Sequence, residues 1–302
     1  MDTIIHIGFI KTGSTWLQKQ FFPFVKNATY CDRKFIYYKF IKPDNREFDQ
    51  KSFLNEISEI STGRTIISHE SITGGIYMRP DKRIELAHRL KSVFPEGRIM
   101  IFIRNQSDII ASVYSMHTLV GETRTVTNFM FNKKLAKKTG IESTFVFDFL
   151  KFDRIISLYQ ELFGKDKVDV FLYEDFAENN FRFLDELIKG YGLEIDSKSL
   201  NFKGENPRLR MNIQKILRIT NHFSKHDIKL EGKPYFVNIP GWEFISLRIA
   251  KSLDNLKVFG HRPSDIEILG EENYKFINDY FRESNNKLFN ELGIKEKNGK
   301  KI

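Results

Sequence analysis

The sequence holds a single cysteine, Cys31, which excludes any intramolecular disulfide and any Cys-rich zinc site, so a metal would have to be held by His and carboxylates. The same scarcity fits a reducing compartment, and a cytoplasmic location is expected. Long apolar runs are missing too: a membrane span needs about 18–20 uninterrupted apolar residues, and the best stretches here are short, such as Ile99 to Ile103. No basic n-region opens the chain; Met1-Asp2-Thr3 leads into Ile4 to Ile10, a run that contains His6 and Gly8 and reads as a strand rather than a signal peptide. His6, His88, His222, His226 and His261 show no metal-ligand spacing, and no metal is expected. There is no internal repeat. What is present is globular: 41% hydrophobic and 29% charged residues exclude a disordered or fibrous chain. Forty-eight Lys+Arg against 39 Asp+Glu give a formal charge of +9, which favours anionic partners and leaves nucleic acid, anionic cofactor, acidic glycan and membrane surface open.

At about 150 residues per domain the 302 residues permit two domains or one α/β domain with a lobe. Apolar runs separated by helical patterns in the N-terminal half predict an α/β fold with three layers and a mostly parallel central sheet. The strands are expected at Ile4 to Ile10, Thr65 to His69, Ile99 to Ile103 and Val168 to Tyr173. A helix is expected from Pro80 to about Phe94, and another after Ser107 as N-cap, with Asp108 stabilising its first turn. Three- and four-residue apolar spacing predicts helices over Phe181 to Ile188, Met211 to Phe223, Trp242 to Leu253 and Glu271 to Leu292. Gly232-Lys-Pro234 marks a loop. We therefore expect one domain over 1–302: a parallel-sheet core to 175, a mainly helical portion over 176–294, and a charged, frayed tail over 295–302. The segments Tyr30 to Phe53 and Thr118 to Ser143 lack clean periodicity and are candidates for substrate-facing inserts.

The run Gly8-Phe9-Ile10-Lys11-Thr12-Gly13-Ser14-Thr15-Trp16-Leu17 follows a strand and opens an amphipathic helix. That arrangement builds a phosphate loop, because Gly13 lets the backbone approach an anion and the helix adds the positive end of its dipole. Gly8 and Gly13 have the spacing of a nucleotide triphosphatase loop, but Ser14 stands where such an enzyme places its lysine; the lysine is three residues earlier, at Lys11. A second signal follows the third expected strand, which leads into Arg104-Asn105-Gln106-Ser107-Asp108 and on to Ser112 and Tyr114. A kinase or triphosphatase would be expected to place a magnesium-binding Asp there; this chain offers Arg104, which captures anions.

Lys11-Thr12-Gly13-Ser14-Thr15-Trp16-Leu17 resembles the 5′-phosphosulfate loop of sulfotransferases that use 3′-phosphoadenosine 5′-phosphosulfate, and Arg104 to Tyr114 is similar to that family's 3′-phosphate motif, with Gln106 in place of the usual proline. The resemblance implies a P-loop-type fold and a sulfuryl transfer from that donor, leaving adenosine 3′,5′-bisphosphate as product and needing no metal. It implies that the loop amides from Thr12 to Ser14, with Thr15, hold the 5′-phosphate, that Lys11 stabilises the bridging oxygen, that Trp16 lies near the adenine, and that Arg104 and Ser112 anchor the 3′-phosphate. Tyr173-Glu174-Asp175-Phe176 resembles the family segment whose tyrosine lies near the nucleotide, and Phe202-Lys203-Gly204 resembles its late closing element. The stretch Phe281 to Phe289 is similar to a C-terminal helix of prokaryotic members with glycan-type substrates.

An acceptor hydroxyl needs a base, and the second expected strand ends in Ser68-His69-Glu70-Ser71 at the same sheet edge. Glycan and protein-tyrosine sulfotransferases carry a catalytic Glu after that strand, and the cytosolic small-molecule branch a His. Glu70 is the first candidate and His69 the second; strand alternation points them to opposite faces. His117 either reaches the acceptor or faces solvent. The lysines between Lys133 and Lys138 read as a solvated face or as a guide for an acidic glycan or lipid headgroup. The expected acceptor is a carbohydrate or glycoconjugate hydroxyl, without nucleic acid or a membrane span. Two alternatives stay open: a phosphate-loop kinase or triphosphatase, marked by magnesium dependence, and a non-catalytic polyanion binder, marked by affinity that falls steeply with salt.

Overall fold

The structure, a computed structural model, describes residues 2–61, 63–74, 80–131, 145–196, 200–202, 208–223, 237 and 239–294. Lys203, Gly204, His226, the lysines over 133–138, the loop at 232–234 and the tail 295–302 lie outside the described residues. Five strands make one sheet: β1 Thr3–His6, β2 Thr29–Tyr30, β3 Thr65–Ser68, β4 Arg98–Ile103 and β5 Val168–Leu172, in the order β2-β3-β1-β4-β5. Every pairing is parallel, with Ile5 opposite Ile67 of β3 and Ile99 of β4. The fold is α/β, as its sequence pattern predicts. β3, β4 and β5 match the expected strands to within a residue at each end, whereas β1 ends at His6 rather than the expected Ile10, Gly8 (φ 107°) turning the chain; β2 lies in the stretch read as aperiodic, because two residues carry no periodicity and tertiary pairing with β3 alone defines them.

Near-continuous apolar runs form the inner strands because both faces of a parallel sheet are covered. Along β1, Ile4 joins a cluster with Trp16, Phe21, Phe22, Met100, Phe102 and Leu187, while Phe9, just after the strand, packs on Phe149 and Phe152. The first layer comes from the helical segment after the β1 loop (Ser14–Trp16, Leu17–Phe21 in a wider π turn, Phe22–Phe24 in a tight turn) and from helix Asn180–Tyr191. The change expected at 175 thus falls inside the sheet unit, whose face residues 180–191 cover. Each fully buried Phe or Leu here contributes roughly 1.5–3 kcal/mol. Cys31 is buried, and its N–H donates to Ile66 O at 2.9 Å, continuing the β2–β3 ladder.

The chain forms two compact units: Met1–Asn105, Phe147–Glu205 and Phe281–Ile302 make the first, Gln106–Val146 and Asn206–Tyr280 the second. The second is helical, with Leu209, Ile213, Leu217 and Ala250 as its small core. Its helix Gln106–Leu119 starts one residue before Ser107, so Ser107 lies in the first turn rather than at the cap, and its hydroxyl binds the Asp265 carboxylate. Gln106 takes the first helical position, where proline is favoured. Asp108 sits in the first turn and also pairs with Arg208 at 2.9 Å. His117 is buried beside Phe129, ring centroids 5.2 Å apart, and does not face solvent.

The strand order fixes where a ligand belongs. From β1 the chain moves to β2 and β3 on one side, then to β4 and β5 on the other. The crevice of such a sheet opens at the carboxyl ends of the strands beside that switch. The turns after β1, β3, β4 and β5 all emerge there.

Candidate active site

The β1 turn combines three residues in the left-handed region, Gly8 (φ 107°), Lys11 (φ 61°) and Gly13 (φ 86°). Lys11 is the one non-glycine residue among the described ones with positive φ, a conformation costing about 1–2 kcal/mol for an L-residue. The loop is closed by two hydroxyls converging on one carbonyl: Thr12 Oγ1 donates to Phe9 O at 2.6 Å and Ser14 Oγ at 3.1 Å. Gly13 is the N-cap residue, its carbonyl accepting from Trp16 N at 2.9 Å, and the amides of Ser14 and Thr15 precede any helical carbonyl that could accept from them. Thr15 is exposed in that turn, whereas Trp16 is buried.

Arg104, leaving β4, donates from a guanidinium nitrogen to Lys11 O at 3.1 Å and stacks over the Tyr173 ring with its Cζ 4.4 Å from the centroid. Tyr173, following β5, closes the far side of the loop: a Cβ at Gly13 would meet its ring at 3.4 Å. Glu174 accepts from Asn105 N at 2.9 Å and so fixes the start of the turn after Arg104. Lys11, Gly13, Arg104 and Tyr173, predicted from three separate points of the sequence, therefore converge. Trp16 donates from Nε1 to Asn201 O at 2.7 Å and lies parallel to Phe202, centroids 5.5 Å apart and planes at 20°. Ser112 is half-buried on helix Gln106–Leu119 of the second unit.

The end of β3 supplies the titratable groups. Gly8 presses against it, since a Cβ there would stand 3.0 Å from Glu70 Cα and 3.2 Å from its Cβ. Glu70 begins a tight turn, Glu70–Thr73, whose N-cap His69 accepts Ser71 N–H on Nδ1 at 3.1 Å. Because Nδ1 accepts, a neutral His69 carries its proton on Nε2. One carboxylate oxygen of Glu70 accepts from Gln18 Nε2 at 3.1 Å and the other is bound by the Arg33 guanidinium. Gln18 also donates to Ser68 Oγ at 3.1 Å, which lies 2.7 Å from His6 Nδ1. Burial lowers the pKa of His6 and of His69 to about 4 each, against a partial opposing pull from Glu70, so both are neutral at pH 7. Burial pushes the Glu70 carboxyl up, but Arg33, then His69, its own backbone and Gln18 outweigh it and hold Glu70 below the usual carboxylate range. Glu70 is thus ionised, and the imidazole beside it is not.

Arg33, Gln18, Ser68 and His6 were not marked by the sequence. Arg33 and Gln18 stand 37 and 52 positions from Glu70, and only folding brings them to it.

No protein-family model and no curated protein sequence matches the chain. Among the solved structures similar to it are three sulfotransferases. The sulfotransferase from Alicyclobacillus acidocaldarius aligns at 14% identity over 68% of this chain and 87% of its own, with a TM-score of 0.49. Mouse sulfotransferase SULT7A1, complexed with PAP, aligns at 16% identity over 94% of this chain and 84% of its own, TM-score 0.45. The sulfotransferase domain of the curacin biosynthetic pathway aligns at 10% identity over 93% of this chain and 97% of its own, TM-score 0.42. At these identities chemistry has to be argued from the residues themselves.

Proposed function

We propose that the protein is a sulfotransferase that moves a sulfuryl group from 3′-phosphoadenosine 5′-phosphosulfate to a hydroxyl of a carbohydrate or glycoconjugate. The observation that carries this reading is the convergence of Lys11, Gly13, Arg104 and Tyr173 at the carboxyl edge of the sheet, with the backbone and Cβ of Glu70 against Gly8 of the same loop. The site suits the donor on its own terms: Gly13 leaves the cradle open where a methyl would meet Tyr173, and one cation, Arg104, rather than a metal-binding Asp leaves β4. The donor supplies the sulfuryl group; the acceptor oxygen bonds to sulfur as the bond from sulfur to the phosphate oxygen breaks, comparable to phosphoryl transfer.

In this reading the amides of Thr12, Gly13 and Ser14 with the exposed Thr15 hold the 5′-phosphate, and Lys11 neutralises charge on its departing oxygen. Arg104 holds the 3′-phosphate; Ser112, Lys203 and Gly204 take part in this reading only through the sequence resemblance, the last two lying outside the described residues. Trp16 receives the purine, beside the Phe202 ring that already lies parallel to it. Glu70 takes the proton of the acceptor hydroxyl. Its ionised state supports that role, and the Nδ1 contact of His69 argues against His69, whose Nε2 is then protonated. His69 instead positions the Glu70 turn.

Calorimetry with adenosine 3′,5′-bisphosphate and with ATP, each with and without magnesium, tests the reading. Magnesium-independent binding of the bisphosphate, and none of ATP, is expected. Binding of ATP that needs magnesium would replace it with a kinase or triphosphatase; weak, salt-sensitive binding of both alike would replace it with a polyanion binder.

A further inference from the structure

An ion pair with an arginine stabilises the charged carboxylate and weakens it as a base until the pair opens. Glu70 is held by Arg33 on one oxygen and Gln18 on the other, so the group that releases it decides when the site is active. Gln18 belongs to the buried helical segment behind the loop and is itself anchored to Ser68. Arg33 is different: its side chain is 49% exposed, against 21% for Glu70, and it opens a four-residue helical turn, Arg33–Ile36, on the surface. The other charged or titratable groups that act on Glu70 or feel its charge are His69, His6 and Tyr30, all buried or half-buried. Arg33 is the partner that solvent and a ligand can reach.

The surface around it has a definite chemistry. One turn after Arg33, Tyr37 stacks on the His69 ring, centroids 5.7 Å apart and planes at 25°, so residues 33 and 37 lie together against the end of β3. Tyr37 and Tyr38 are exposed, and the Lys42 ammonium stands 5.3 Å over the Tyr38 ring. Lys34 is exposed as well. The acids nearby are engaged: Asp32 caps the turn through Lys34 N and Phe35 N, and Glu56 pairs with Lys39. Aromatic faces beside Lys34 and Lys42, which form no ion pair among the described residues, fit a sugar ring that carries an anion, the cations binding its carboxylate or sulfate and the rings its apolar face.

We propose that the segment Arg33 to Lys42 receives a sugar acid as acceptor, and that Arg33 leaves Glu70 for the acceptor's anionic group, which frees the base only when such an acceptor is seated. This rests on Glu70 being the base. The coupling is reciprocal: whatever weakens the hold of Glu70 on Arg33 strengthens anion binding by the same factor.

The test uses phenyl β-glucuronide and phenyl β-glucoside with the full chain in the presence of adenosine 3′,5′-bisphosphate. Calorimetry should show the glucuronide bound at least tenfold more tightly than the glucoside. Arg33→Ala should erase that preference, Arg33→Lys keep part of it, and Glu70→Gln tighten glucuronide binding several-fold by releasing Arg33. In turnover, Arg33→Ala should raise KM for the glucuronide and move the acidic limb of the pH–rate profile to higher pH, because Glu70 loses the cation that holds its carboxyl down. Equal affinity for the two probes, or an unchanged preference in Arg33→Ala, overturns the proposal. Wild-type turnover in Glu70→Gln removes Glu70 as base instead, a separate failure read in a separate measurement.

Discussion

Two carboxylates, one in each unit, are each paired with an arginine, Glu122 buried and Glu70 half-buried, and they differ in where their partners come from. Glu122, in the helical unit, has a side chain with 0% exposure and accepts from Thr123 N, Arg124 N and the Arg124 guanidinium, all within two residues and at 2.7–3.0 Å. Glu70, at the sheet edge, is held by side chains 37 and 52 residues away, one of them half-exposed. Both carboxyls are pushed up by burial and drawn down further by their donors. A carboxylate whose lone pairs are filled by its own turn is a structural part. A carboxylate whose partner can swing away retains a proton-accepting site, and that is the difference expected between a brace and a base.

Substitutions should separate the two. Glu70→Gln, which keeps the shape and removes the basicity, is expected to lower turnover by about 10²–10⁴ while bisphosphate affinity and thermal midpoint stay near wild type; a large fall in midpoint with turnover per folded molecule retained would make Glu70 another brace. Lys11→Ala should cost roughly 10²–10³ in turnover at saturating donor, the scale of one transition-state donor, and near wild-type turnover would remove Lys11 from that role. Glu122→Gln should do the opposite of Glu70→Gln: a loss of about 3 kcal/mol of stability in denaturant unfolding, because Arg124 loses its compensating charge, with bisphosphate affinity of the folded fraction unchanged.

Acid should expose the sheet-edge cluster. His6 and His69 titrate near 6.5 when unfolded and at about 4 when folded, because burial disfavours their charged forms. The unfolded chain therefore binds protons first, and unfolding free energy should fall between about pH 6.5 and 4, by about 3 kcal/mol for one such histidine. Glu70, held below its ordinary range, adds a loss in the same direction at lower pH. Chemical denaturation across that range measures it, and a flat profile would contradict the buried neutral state. The smallest effect is expected at Gly13→Ala: about 1 kcal/mol from the φ of 86°, with weaker bisphosphate binding, since the added methyl makes ordinary contact with Tyr173 at 3.4 Å.

Features set by neighbours along the chain were legible beforehand. Trp242–Leu253 was predicted to the residue from its spacing, and the Lys11 to Leu17 loop from its local pattern. Arg104 and Tyr173 were also read from local motifs, and the fold brings both to the loop. Features decided by contacts across the fold were not: β2 exists through pairing with β3, His117 is buried by Phe129, and the Arg33 and Gln18 hold on Glu70 leaves no periodic trace. The helix at Gln106 begins one residue early because local capping signals fix a start only approximately.

Cys31 offers a practical consequence. Burial pushes its thiol up to about 12, so at neutral pH scarcely any thiolate exists to react with maleimides or iodoacetamides. A Tyr38→Cys variant would then carry one addressable sulfur without prior editing of the native chain, and a fluorophore attached there would sit on the aromatic face beside Arg33 and report its motion directly.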